Sequence, residues 1–105
     1  MGSPADRGLP GNWETERALL GGLLLAPERI DHVRASLEPD QFHRPSHGYL
    51  FWRMLVLRDG GAMPDLLVVL DDIEARGDQE RVGGIAYVSA LPQACPSVEI
   101  GRAHV

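Results

Sequence analysis

Pro45-Ser46-His47-Gly48-Tyr49-Leu50-Phe51-Trp52-Arg53-Met54-Leu55-Val56-Leu57-Arg58 is the stretch that decides between helix and strand in this chain. Leu50, Phe51, Met54 and Leu55 repeat at the spacing of one helix face, with Leu57 and Trp52 beside them. Pro45 suits the first helical position, where its missing N–H costs nothing. Gly60-Gly61 then stops the helix through the left-handed conformation that glycine allows. The spacing predicts a helix from Pro45 to Arg58.

Upstream, Asn12 is a capping residue for a helix from Trp13 to about Leu25, with Glu14 and Glu16 in the first turn, where the helix dipole favours negative charge. Leu20, Leu23 and Leu24 form its apolar stripe and Leu19 widens it. Gly21-Gly22 lowers helix propensity, which predicts that something packs closely there. Pro27 opens a second helix with Ile30, Val33 and Leu37 on one face, ending before Pro39. The turn from Glu38 to Arg44 brings Phe42 into the core.

Downstream, Asp65 caps a fourth helix whose stripe is Leu66, Val69, Leu70 and Ile73, and Gly77 closes it. Asp71, Asp72 and Glu74 read as a solvated outer surface. Gly83-Gly84 precedes a short helix from Ile85 to Leu91 that Pro92 terminates, and Pro96-Ser97 starts another. No segment alternates at period two, and no repeat is evident. The expected fold is all-α, a compact globular bundle of about five to six short helices, with Phe51, Leu70 and Ile73 in its core.

A chain of 105 residues with 44% apolar and 24% charged side chains suits one soluble domain. The domain is expected over residues 12–105, after a leader at residues 1–11 that carries no secretory pattern. Leu23-Leu24-Leu25-Ala26 and Met54-Leu55-Val56-Leu57 are far too short to cross a bilayer. Cys95, the single cysteine, has no internal disulfide partner. A cytoplasmic setting follows as the expectation. The net charge of −5 disfavours tracking a phosphate backbone. All ten basic residues are Arg, so a phosphate-loop lysine and a Schiff-base lysine are both excluded.

Candidate sites fail on geometry. His43 and His47 have metal-ligand spacing only if a helix runs through both, and Pro45 lies between them. Glu14 with Glu16, and Asp71 with Asp72, do not face each other on a helix. Cys95 has no nearby His, and Ser46, Ser89 and Ser97 lie outside any nucleophile elbow. Gly21-Gly22 and Gly83-Gly84 lack the spacing of phosphate loops. No catalytic, cofactor-binding or metal-ligating residue is therefore assigned.

Several segments, taken in order, resemble the N-terminal domain of DnaB-family replicative DNA helicases. They are Glu16 to Leu25, Asp40-Gln41-Phe42-His43-Arg44-Pro45-Ser46-His47, Pro64-Asp65, Glu74-Ala75-Arg76-Gly77, Val82-Gly83-Gly84-Ile85-Ala86-Tyr87 and Cys95-Pro96-Ser97. The resemblance covers Asn12 to Val105. Ala26, His43 and Glu99-Ile100 depart from the family pattern. What it implies is a non-catalytic collar module that assists ring assembly and the recruitment of primase and loading factors. ATP and magnesium would belong to a motor domain absent from this sequence. Past Ser97 the resemblance implies the start of a C-terminal helical hairpin, and with so little of it present the isolated chain is expected to be a monomer or weak homodimer, and a hexamer only at full length. A small helix-turn-helix-like DNA-binding regulator and a stand-alone helicase-binding adaptor are the alternatives. The first is weakened by arginines spread along the chain among acidic neighbours.

Overall fold

The computed structural model describes residues 13–94. Five α-helices follow one another as α1 (Trp13–Leu25), α2 (Ile30–Val33), α3 (Pro45–Asp59), α4 (Leu66–Arg76) and α5 (Ile85–Ala90). Short 3-10 helices at Pro27–Arg29, Pro39–Gln41, Glu80–Val82 and Leu91–Ala94 link or extend them. The described residues contain no strand. The fold is all-α, as the helical periodicity requires.

Helix boundaries follow local chemistry. The Asp65 carboxylate accepts the Val68 N–H at 2.9 Å, which caps α4, and Gly77 ends it in the left-handed region at φ 70°. Pro45 occupies the first turn of α3. Of the two glycines after α3, Gly61 takes positive φ while Gly60 stays at φ −84°. Pro27 opens a 3-10 turn that passes directly into α2, so the second helix is shorter than expected, although Ile30 and Leu37 are both buried as its stripe requires. The cap read at Asn12, Cys95 and the helix begun at Pro96-Ser97 lie outside the described residues.

The core is one cluster that includes Leu20, Leu23, Leu24, Ile30, Phe42, Leu50, Phe51, Met54, Val69, Ile73, Val88 and Leu91. Phe42 stacks at a tilt on Phe51 with ring centroids 5.2 Å apart, which confirms its place as a core plug. One expected core residue differs. Leu70 is only partly buried, whereas Val69 is fully so. The α4 stripe is turned by about one position from the expected face, and Leu66 and Leu70 flank it.

Gly21 explains how α1 meets the end of the described chain. A Cβ built there would stand 2.0 Å from the Leu91 carbonyl oxygen and 3.1 Å from the Pro92 Cα. Leu91–Ala94 lies directly against α1, the close neighbour that Gly21-Gly22 predicts. Gly48 serves α3 in the same way, since a Cβ there would meet the Pro39 carbonyl oxygen at 2.5 Å.

Candidate functional site

Glu16 is fully buried on the inner face of α1. A buried carboxylate is tolerated only when its oxygens are satisfied. Here the backbone N–H of His43 donates to Oε2, and the backbone N–H of Arg44 donates to Oε1 at 3.3 Å. These N–H groups precede the first turn of α3, where intrahelical partners are lacking. Glu16 thus fixes the entry to α3 from another helix.

The third partner is His47, 1% exposed, with Nδ1 2.7 Å from Glu16 Oε1 and Nε2 2.6 Å from the Tyr87 hydroxyl. A carboxylate can only accept, so Nδ1–H donates to Glu16 and, in the neutral ring, Nε2 accepts from Tyr87. The Tyr87 ring also stacks on the imidazole at 5.9 Å and 14°. Burial holds the His47 pKa below the ordinary 6.5, against the hydrogen bond and charge of Glu16, which favour the protonated ring, while Arg44 and Arg17 add to the lowering. Burial likewise raises Tyr87 above its usual value, against Arg44 and Arg17.

A carboxylate, imidazole and hydroxyl in sequence have the composition of a proton relay. Both imidazole nitrogens are already bonded, however, and the ring is closed to solvent, so no outside group reaches it in this arrangement. The cluster joins α1, α3 and α5. Sequence reasoning set His47 apart only as half of a metal pair with His43, and the structure separates them. His43 is exposed and contributes its backbone, while His47 is buried. No group of three or more metal-ligating side chains occurs among the described residues.

A second cluster ties α3 to α4. Arg53 donates to Asp72 through Nε at 2.9 Å and through Nη2 at 2.8 Å. This corrects the reading of the acidic run as a solvated surface: Asp71 and Glu74 are exposed, but Asp72 turns inward to a buried guanidinium. Next to it the Tyr49 hydroxyl donates to Asp78 and holds that carboxyl below its usual value, with Arg76 helping. Ser46 Oγ is buried without a hydrogen-bond partner among the described residues, and Ser89 is half-buried. Glu14 is exposed while Glu16 points inward, so the two carboxylates do not converge.

The surface carries several apolar side chains. Trp13, Leu25, Trp52, Val56, Met63 and Leu67 are all exposed, Leu67 at 76%. No helix among the described residues is long and apolar enough to cross a membrane.

Fold and site together define a small helical domain whose polar chemistry is spent on joining helices. The chain belongs to the DnaB-like helicase N-terminal domain family, whose profile matches residues 8–105. It is 37% identical over 92 residues to the replicative DNA helicase DnaC of Bacillus subtilis, covering 88% of this chain and 20% of that protein. It is 34% identical over 88 residues to the replicative DNA helicase DnaB of Geobacillus stearothermophilus, covering 84% and 19%. Among solved structures it is similar to the N-terminal domain of the DnaB helicase from Mycobacterium tuberculosis, with a TM-score of 0.73, 32% identity, and coverage of 81% of this chain and 59% of that one. The chain therefore spans about a fifth of the length of the curated helicases it matches.

Proposed function

We propose that this chain is the non-catalytic N-terminal interaction and oligomerisation module of a replicative DNA helicase, contributing to ring assembly and to recruitment of primase or a helicase loader. The observation that carries the reading is the family match along residues 8–105, on relatives named replicative DNA helicases. Helicase chemistry, with its ATP and magnesium, is assigned to the remainder of such a protein. Consistent with this, the sequence has no Lys and no phosphate-loop spacing.

The exposed apolar side chains lie on α1 (Trp13, Leu25), on α3 (Trp52, Val56), on the following turn (Met63) and on α4 (Leu67). Stable interfaces usually bury about 1,200 to 2,000 Å² in one continuous patch. Spread over several elements, these residues favour weak pairing. Sedimentation equilibrium of this chain should give a monomer or weak homodimer at micromolar concentration, and calorimetric titration with the cognate primase or loader should show saturable binding. A stable hexamer would overturn the weak-pairing assignment, and saturable ATP binding would overturn the non-catalytic one.

A further inference from the structure

Two arginines converge on Trp13 in a domain whose net charge is −5. The Arg17 guanidinium sits 5.1 Å from the Trp13 ring centroid, and that of Arg44 sits 5.3 Å from the same centroid. Arg44 also lies 5.9 Å from the Tyr87 ring. Between α1 and α5 is a notch of about 220 Å³ lined by Arg17, Tyr87, Ala90 and Leu91.

Four arginines are matched with carboxylates: Arg34 with Asp59, Arg53 with Asp72, Arg58 with Asp31 and Arg76 with Asp78, while Arg81 lies 4.8 Å from the Tyr49 ring centroid. Arg17 and Arg44 form no ion pair with a carboxylate among the described residues. A guanidinium stacked on an aromatic ring uses its face and keeps the N–H donors along its edge free. Two cations near one indole repel each other, and an anion bound at either guanidinium edge lowers that repulsion. Glu16 does not fill the role, because its oxygens are committed to the His43 and Arg44 N–H groups and to His47. The wall is also stiff. Tyr87 is held by the buried imidazole, and Leu91 is seated on Gly21.

We propose that the notch between α1 and α5 is a carboxylate-binding site that receives an acidic side chain, with an apolar neighbour, from a protein partner. This rests on the reading of the domain as a docking module and adds the chemistry of one segment it docks. A nucleic-acid phosphate fits less well. Duplex binding commonly uses about 6 to 10 phosphate contacts, while this notch is lined by Arg17 alone, with Arg44 near the Tyr87 ring at its wall, in a domain of net charge −5. The space admits one side chain, and Ala90 and Leu91 supply an apolar wall for its neighbour.

The test is a nitrogen-15 NMR titration of the whole chain with a blocked hexapeptide carrying Glu-Leu in a Gly-Ser background, beside the same peptide with Gln-Leu. The Glu peptide should give saturable shifts at the Trp13 indole N–H, the Arg17 side chain and the Tyr87 amide. Arg17→Gln and Arg44→Gln should each weaken it about tenfold, Arg29→Gln should leave it unchanged, and about 1 M salt should abolish most of it. Thermal melting checks the variants, and the Glu against Gln contrast needs no variant at all. Equal affinity for the Gln peptide, no saturation, or tighter binding of inorganic phosphate or oligo-dT at the same residues would each overturn the assignment. If the peptide fails while primase or loader still binds, the docking module stands and this site falls. If the peptide saturates while neither protein binds, the site stands without those partners.

Discussion

Helix α3 is anchored at two places by opposite means. In its first turn His47 is 1% exposed and meets a carboxylate that also accepts two backbone N–H groups. Farther along, Arg53 meets Asp72 in a two-point fork beside the surface, with Asp72 13% exposed. Both are polar contacts between helices, but they leave different debris when cut. Removing Glu16 orphans backbone donors and an imidazole that water cannot reach. Removing Asp72 leaves a guanidinium that can swing toward solvent.

The sharpest way to break this contrast is to delete each acid. Glu16→Ala should destabilise the fold by about 3 to 5 kcal/mol in urea denaturation, against about 1 to 2 kcal/mol for Asp72→Ala. Equal losses would show that burial does not set the difference. Gly21→Ala pushes a methyl into the Leu91 carbonyl, and should cost about 1 to 3 kcal/mol while loosening α5 and with it Tyr87 from His47. A neutral effect on both stability and the Tyr87 resonances would mean that the first anchor does not depend on this seat. Val69→Ala should cost about 2 kcal/mol and Leu70→Ala about 1, since Val69 is buried where Leu70 is half-covered. The reverse order would rotate α4 and take Asp72 away from Arg53.

Acid probes the first anchor without mutation. The folded His47 has its pKa below 6.5, so below that pH the unfolded chain takes up a proton that the folded chain refuses. Stability should therefore fall as pH drops through 6.5 toward the folded value, and His47→Gln should flatten that window. The surface pairs act lower. Their arginines hold Asp31 and Asp59 below 3.8, so their contribution is present above 3.8 and lost only as pH falls further. Asp59→Asn should change the pH 7 melting temperature least of all these substitutions, because the exposed pair is screened by solvent. A shift as large as that of Asp72→Ala would erase the distinction between rim and surface.

Much of the fold was legible because its signals are local. Asp65, Gly77 and Pro45 mark helix ends within one turn of where they act, and Leu50, Phe51 and Met54 declare a buried face by spacing alone. Gly21-Gly22 even announced a close neighbour without naming it. The anchors were not legible, for the opposite reason. Glu16 lies 31 residues from His47, and His47 lies 40 from Tyr87, so nothing in a window around any of them points to the others. Glu16 in a first turn reads as a favourable dipole contact whether or not it is buried. Asp72 was misplaced because the α4 stripe centres on Val69 and Ile73, and that rotation brings its neighbour inward. Nothing around Gly48 points to its contact, since the Pro39 carbonyl that needs its bare Cα lies in a different turn.

The seat of Leu91 on Gly21 also sets an order of events during synthesis. These two residues stand at opposite ends of the described chain, so their meeting closes a loop around nearly everything between, an entropic cost met late in folding. Leu20, Leu23 and Leu24 leave the ribosome well before the turn that closes against α1 is made. Until then α1 is an apolar stripe on an unfinished polypeptide, a surface open to a holding chaperone or a neighbouring nascent chain.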